Sequence, residues 1–310
     1  MPDQPKLVYI LSPSYSGSTL LTLMLVQVNG IATIGELKAS AIQDIDSYLC
    51  SCGNLIHKCE FWRDLAKKLS DQGIDFSVED FDTHFDGQNA LQRRVLLAQC
   101  RGEAFEFLRY WTTKLLPGLN NEITRVLDRN VALAEAIIEL QDGKLLLDGS
   151  KDPQRLIYFL NSGKFDISVI RMVRDGRAQC NSRREKEQDV NPVDYAGACR
   201  EFRSTIDQMD YVSRRIPPER LLSLTYESLC EDPAKELSRI VDWLGLPQPD
   251  IDWADVDLRS RPHHVLGNSM RIRERISIRL DEGWKERVSP SEAAEFDRIA
   301  GHVNKRLGYA

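Results

Sequence analysis

The chain has 310 residues, a net charge of −6, 42% hydrophobic residues and 28% charged residues. This composition is ordinary for a globular domain, and the acidic balance argues against general binding to nucleic acids or anionic membranes. No apolar run reaches the roughly 18 residues of a membrane span, and the N-terminus lacks the order of a signal peptide. We therefore expect a cytoplasmic protein without a membrane span, whose seven cysteines are reduced thiols.

The first element is a strand, a small-residue loop and a buried helix. Residues 7–11 are apolar and β-rich, residues 12–18 carry serines with one proline and one glycine, and residues 20–28 are apolar on every side. The first N–H groups of such a helix have no partner within the helix and favour an anion. Its candidate anion-binding residues are Ser14, Tyr15, Ser16, Gly17, Ser18 and Thr19. The alternative is an ordinary strand-to-helix turn whose serines cap the helix.

This loop differs from the Walker A motif, which requires G-x-x-x-x-G-K-[ST]. Ser12 stands where that motif has its first glycine, and Ser18 stands where it has its lysine. A loop without that lysine lacks the main cation for ATP hydrolysis. The pattern therefore favours another phosphate-bearing ligand.

Two candidate sites follow the first helix. Glu36 lies one helix and one turn beyond the loop, so it can return to the strand ends; the alternative is a solvated acid. Cys50, Cys52, His57 and Cys59 offer four potential metal ligands, but their spacing is more compact than the usual pairs of a structural zinc site. Small packed cysteines without a metal are the favoured interpretation, with a zinc site and a redox disulfide as alternatives.

Residues 60–140 show helical spacing and lack clear strands. We interpret them as a helical insertion that caps a site built on the sheet. An aromatic stretch within it is expected to belong to the core rather than to a substrate pocket; its residues are Phe105, Phe107, Tyr110 and Trp111.

Three further strands are predicted at residues 144–148, 167–173 and 221–226. Open parallel sheets bind ligands beyond the carboxyl ends of their strands. Lys151 follows the first of these strands and Arg174 follows the second. A helix over residues 178–187 then carries Ser182, so that a guanidinium and a hydroxyl can bind one anion.

The tail over residues 259–287 has eight Lys/Arg against four Asp/Glu and is a candidate flap over an anionic ligand; a plain charged terminus is the alternative. No internal repeat or low-complexity linker appears, so residues 1–310 are read as a single domain. The predicted fold is α/β, with a central, mainly parallel sheet in three P-loop-like layers and the helical insertion.

Together these residues resemble the sulfotransferases that use 3′-phosphoadenosine 5′-phosphosulfate (PAPS). The resemblance runs from Leu7 to about Trp284. In that family a Ser/Gly/Thr loop after the first strand holds the 5′-phosphosulfate, and an arginine with a serine eight residues later binds the 3′-phosphate. The loop here ends in Ser-Gly-Ser-Thr, and Arg174 and Ser182 have the family's spacing.

The resemblance implies roles for further residues. Lys151 looks like the lysine that contacts the transferring group in tyrosylprotein sulfotransferases, and Glu36 looks like the catalytic base. Tyr226, Asn268 and Arg271 look like nucleotide-site features of bacterial members. Tyr15 departs from the family, which usually has Lys or Arg there, so Lys151 or a tail arginine must supply the missing charge.

The expected activity is sulfuryl transfer from PAPS to a hydroxyl of a small-molecule or carbohydrate acceptor, releasing adenosine 3′,5′-bisphosphate (PAP). Glu36 is the expected general base, and Lys151 and Ser18 are expected to stabilise the departing phosphate. The alternatives are a P-loop kinase or NTPase with a degenerate loop, and an inactive nucleotide-binding homologue.

Overall fold

The computed structural model describes residues 4–39, 44–100, 102–186, 192–258 and 263–309. Its strands are β1 (Lys6–Leu11), β2 (Ile31–Ala32), β3 (Leu145–Asp148), β4 (Asp166–Val173), β5 (Leu221–Thr225), β6 (Asp255–Asp257) and β7 (Arg275–Ser277). Its α-helices are α1 (Ser18–Leu25), α2 (Glu60–Asp71), α3 (Ala90–Leu96), α4 (Glu103–Leu115), α5 (Pro117–Leu140), α6 (Pro153–Ser162), α7 (Gly176–Lys186), α8 (Tyr195–Ser213), α9 (Tyr226–Glu231), α10 (Pro233–Trp243), α11 (Trp284–Arg287), α12 (Pro290–Phe296) and α13 (His302–Arg306).

Five strands form a parallel sheet in the order β2-β3-β1-β4-β5. In its register Val8 of β1 lies between Leu147 of β3 and Ser168 of β4. The four predicted strands are present within a residue of their predicted bounds, and the predicted α/β fold with its central parallel sheet is confirmed. The two-residue strand β2 and the antiparallel pair β6-β7 were not predicted, because runs of two or three residues carry no periodicity.

The sheet separates two apolar cores. Side chains of β1 alternate between them: Leu7, Tyr9 and Leu11 lie in the core that includes the insertion and α8, and Val8 and Ile10 lie in the core that includes α1 and α10. Successive side chains of a strand point to opposite faces, and both faces are covered here. The uniformly apolar sequence of β1 follows from this double burial.

The insertion contains α2, α3, α4 and α5, with an irregular segment over residues 72–89. The prediction that its aromatic stretch belongs to the core is wrong for three of the four residues, since Phe107, Trp111 and Tyr110 are 68%, 46% and 39% exposed. The buried face of α4 is polar instead. Arg109 of α4 is buried, where it pairs with Glu106 and donates to Gln154.

Two predicted segments extend beyond the described residues. The helix predicted over residues 178–187 corresponds to α7, but Glu187 lies outside the described residues, as do positions 259–262 of the tail. No helix among the residues that the structure describes is both long enough and apolar enough to cross a membrane.

Candidate active site

The loop over residues 12–17, called the phosphate loop here because the sequence predicts that it binds a phosphate, connects β1 to α1. Gly17 precedes α1 in a left-handed conformation with φ 86°, and Tyr15 also has positive φ, at 65°. Ser16 is fully buried, and its hydroxyl has no hydrogen-bond partner among the described residues. Because the first residues of α1, Ser18 and Thr19, line a cavity, this loop presents hydroxyls and helix N–H groups to that space.

Gly17→Ala is expected to destabilise the protein more than Gly163→Ala does. Both positions have positive φ, which costs an alanine about 1–2 kcal/mol. A Cβ at Gly17 would also lie 2.5 Å from the ring of Tyr226, whereas one at Gly163 would meet no described atom within 4 Å. Overpacking adds about 1–3 kcal/mol, so urea unfolding is expected to show a larger decrease in the free energy of unfolding for Gly17→Ala than for Gly163→Ala. Equal decreases in the two variants would mean that the Tyr226 ring moves aside without an energetic penalty.

The first cavity has a volume of about 750 Å³ and lies against the phosphate loop at the carboxyl end of the sheet. Its wall carries five basic side chains and one acidic side chain, in a protein whose net charge is −6. This concentration of positive charge suits an anionic ligand. The predicted site residues that line it are Ser14, Tyr15, Gly17, Ser18, Thr19, Lys151, Arg174, Tyr226 and Asn268.

Arg174 follows the last residue of β4, and its side chain is 7% exposed. Its guanidinium donates to the carbonyl oxygen of Tyr15 at 3.2 Å and lies 4.4 Å from the ring centroid of Tyr226. It also donates to the carboxylate and the backbone carbonyl of Asp281, both at 3.1 Å. The strand end, the phosphate loop and the tail therefore all converge on this one arginine.

The Asp281 carboxylate is held ionised by this contact. Burial acts to raise its pKa, but the hydrogen bond and the charge of Arg174 outweigh that effect, and the pKa lies below the ordinary aspartate value. An anion bound in the first cavity would compete with Asp281 for the Arg174 guanidinium.

Glu36 and Lys151 form an ion pair in which each side chain is less than one-fifth exposed. The loops that carry them are joined by backbone contacts, since the N–H of Gly149 donates to the carbonyl of Gly35 at 2.7 Å. Leu37 N–H donates to Asp148 Oδ1 at 2.9 Å. Glu36 is therefore held at the strand ends, 115 positions from its partner in sequence.

A second cavity of about 580 Å³ opens beside the first. Glu36 lines only the second cavity, while Ser14 and Lys151 line both. The insertion contributes apolar walls through Phe85, Leu96 and Leu97. The second cavity is lined by two carboxylates, Glu36 and Asp152, and by three basic side chains, Lys38, Lys151 and Arg155, and Lys151 lies where the two cavities meet.

Sequence reasoning missed His84 in the second cavity, and no motif surrounds it. Its Nε2 is buried and has no hydrogen-bond partner among the residues described. Burial lowers the pKa of His84, and the positive charges of Arg155 and Lys38 lower it further. The imidazole is therefore neutral at pH 7 and able to accept or donate one hydrogen bond.

Sequence reasoning also missed Lys186 and Arg273, which line the first cavity. The ammonium of Lys186 lies 5.7 Å from the ring centroid of Tyr15, the position where a basic residue was expected. The run of arginines ending at Arg184 was the nearest signal for Lys186. A cation contributed by α7 therefore stands beside the loop.

Three predicted site residues do not line either cavity. Ser16 is buried within the loop and Ser182 is buried within α7. Arg271 donates to the carbonyl of Leu49 at 2.5 Å and lies 4.7 Å from the ring centroid of Tyr48. The eight-residue spacing of Arg174 and Ser182 thus does not bring both side chains into the first cavity.

The cysteine segment is arranged differently from the favoured interpretation of independently packed thiols. The sulfurs of Cys50, Cys52 and Cys59 cluster with His263, and the four potential ligand atoms lie within 4.8 Å of one another. His57, the histidine that the sequence grouped with these cysteines, is exposed and outside the cluster. The fourth member comes from the tail, more than 200 residues away.

Comparison with known proteins gives one family match, to the model described as "Sulfotransferase family", over residues 165–250. That segment contains β4, Arg174, α7, α8 and β5. No curated protein sequence matches the chain.

Among solved structures, the chain is similar to the sulfotransferase domain of the Synechococcus PCC 7002 olefin synthase, with 20% identity, 99% and 96% of the two chains covered, and a TM-score of 0.51. It is also similar to the sulfotransferase domain from the curacin biosynthetic pathway, with 18% identity, coverage of 99% and 98%, and a TM-score of 0.52. A mouse sulfotransferase solved with PAP is 12% identical, with coverage of 98% and 89% and a TM-score of 0.49.

Proposed function

We propose that this protein, a sulfotransferase by its family match and its fold, transfers the sulfuryl group of PAPS to a hydroxyl group of a small-molecule or carbohydrate acceptor. The observation that carries this proposal is the pair of adjoining cavities. One is cationic and includes the phosphate loop, the other contains Glu36, and both are lined by Lys151 and Ser14. A transfer reaction needs two substrates whose reacting groups meet, and Lys151 lies at the proposed meeting point because it lines both cavities.

The first cavity is the proposed donor site. The N–H groups and hydroxyls at the start of α1 would bind the 5′-phosphosulfate, because a helix N-terminus favours an anion. Arg174 would bind the 3′-phosphate through charge-assisted hydrogen bonds, displacing Asp281. These contacts position the donor and leave the chemistry to the residues at the junction of the cavities.

In the proposed mechanism, the acceptor hydroxyl forms a new S–O bond while the bond from sulfur to the 5′-phosphate breaks in line. Glu36 accepts the hydroxyl proton as general base. Lys151 and Ser18 stabilise the negative charge that develops on the departing phosphate. Because Lys151 lines both cavities, it can exchange its partner Glu36 for that phosphate.

The second cavity is the proposed acceptor site, and residues 60–140 are proposed to cap it as part of a single domain over residues 1–310. Its walls combine apolar side chains from the insertion with polar groups such as His84 and the Lys38–Asp152 ion pair. A volume of about 580 Å³ suits a small organic molecule or a sugar. His84 lines this cavity and is a proposed contact of such an acceptor.

Calorimetry and a PAP-release assay test this function. The full chain is expected to bind PAP without magnesium, and to release PAP from PAPS when one member of a panel of phenols, sugars and alcohols is present. Magnesium-dependent hydrolysis of ATP without PAP binding would instead identify a kinase-like or NTPase-like enzyme. PAP binding with no release across the panel would contradict the transferase activity and leave a nucleotide-binding homologue.

A further inference from the structure

The segment over residues 48–59 forms a tight turn that presents three sulfurs to one side. Leu49 and Leu55 form an isolated bridge, and Gly53 turns the chain with φ 88°. The N–H of Cys50 donates to the carbonyl of Asn54 at 2.9 Å, and the N–H of Gly53 donates back to the carbonyl of Cys50 at 2.9 Å. A short 3₁₀ turn over Ile56–Lys58 then brings Cys59 back to the start of α2.

His263 completes the cluster from the tail. Its Nδ1 lies 3.1 Å from the sulfur of Cys59 and 3.5 Å from that of Cys50, and the sulfurs of Cys52 and Cys59 are 3.7 Å apart. The imidazole is stacked on Phe61, with ring centroids 4.6 Å apart and an interplanar angle of 4°. The ring is therefore held in place with Nδ1 directed at the sulfurs.

Two of these distances, 3.7 Å between the sulfurs of Cys52 and Cys59 and 3.5 Å between Cys50 and His263, match a tetrahedral zinc ion, and the 3.1 Å between Cys59 and His263 must lengthen by about 0.5 Å to accommodate one. With bonds of about 2.3 Å to sulfur and about 2.0–2.1 Å to nitrogen, two sulfurs lie about 3.8 Å apart, and sulfur and nitrogen about 3.6 Å apart. Among the residues described, all the cysteines are free thiols rather than disulfides. Three thiolates and one imidazole form a recognised structural set for zinc, a metal that soft sulfur ligands select.

Three backbone N–H groups are directed at the sulfurs, and burial raises the pKa of the Cys50 and Cys59 thiols. Backbone N–H groups of Cys52, Asn54 and Trp62 donate to the sulfurs of Cys50, Cys52 and Cys59. Hydrogen bonds of this kind orient metal ligands and stabilise their negative charge. Phe61 and Trp62 supply an apolar shell around the cluster.

We propose that Cys50, Cys52, Cys59 and His263 bind one zinc ion in a closed structural site. Four protein ligands leave no open position for a substrate, so the metal cross-links the chain and takes no part in transfer. Its effect reaches the first cavity. The tail continues from His263 to Val265, which bridges to Gly35, and to Asn268, whose N–H lies 3.3 Å from the hydroxyl of Thr19 in α1.

Metal analysis of the purified full chain tests the proposal. Mass spectrometry of metals is expected to find about one zinc per chain. Cobalt substituted for zinc is expected to give the intense visible absorption bands of a tetrahedral thiolate site. Cys52→Ser and His263→Ala are expected to lose that zinc, and His57→Ala, which removes a nearby exposed histidine, is expected to retain it.

Several outcomes would overturn the zinc site. Wild-type protein that holds no zinc, and that under reducing conditions binds neither zinc nor cobalt, excludes it without any variant. A thiol count showing two cysteines of this cluster joined in a disulfide would replace the metal with a redox pair. Loss of zinc in His57→Ala but not in His263→Ala would show that His57, and not His263, is the fourth ligand. PAP binding is measured separately, so failure of the zinc site and failure of the proposed function are distinguishable.

Discussion

Glu36→Gln is expected to bind PAP as tightly as the wild type and to lose turnover by a factor of about 10²–10⁴, the usual contribution of a general base. Glutamine keeps the size of the side chain and an oxygen that can accept from Lys151, but it cannot take a proton from the acceptor. Calorimetry with PAP and the rate of PAP release at saturating substrates measure the two properties separately.

The matched control is Glu139→Gln. Glu139 is also a carboxylate paired with a lysine, Lys68, at 2.5 Å, but it lies on α5 and lines neither cavity. The turnover of the Glu139→Gln variant is expected to equal that of the wild type. Full turnover in Glu36→Gln would show that Glu36 is not the general base. Loss of PAP affinity in Glu36→Gln would show that Glu36 contributes to donor binding instead.

Arg174→Ala is expected to weaken PAP binding on the order of a hundredfold. Removal of one partner from a buried charge-assisted contact costs about 2–5 kcal/mol, and each 1.4 kcal/mol is a factor of about ten in affinity. The same variant is expected to bind adenosine 5′-phosphate, which lacks the 3′-phosphate, as well as the wild type does. Calorimetry with both nucleotides therefore assigns Arg174 to one end of the ligand.

Arg220→Ala serves as the control for this prediction. Arg220 pairs with Asp166 at 2.7 Å at the opposite end of β4, away from the first cavity. It is expected to leave the affinity for PAP unchanged. Equal losses for PAP and adenosine 5′-phosphate in Arg174→Ala would contradict a 3′-phosphate contact, and an unchanged affinity for PAP would remove Arg174 from the donor site.

The sequence by itself determined the local elements of this protein. A strand, a small-residue loop and an apolar helix can be recognised from consecutive residues, because residues 7–11 and 20–25 are buried and therefore apolar almost throughout. The positions of Lys151 and Arg174 after predicted strands also followed from the sequence, since parallel strands end at one edge of a sheet. Local spacing was sufficient for each of these conclusions.

Only the tertiary structure decided which distant groups meet. His263 lies next to Cys59 although 204 positions separate them, and Lys151 pairs with Glu36 across 115 positions. Local sequence patterns cannot predict contacts between residues so far apart in the chain. The polar face of α4 turned inward because Arg109 finds buried partners there, which an apolar pattern cannot reveal. Hydrophobic periodicity indicates which face of a single helix or strand is buried. The hydrogen-bond partners of a buried polar side chain depend instead on how separate elements pack together.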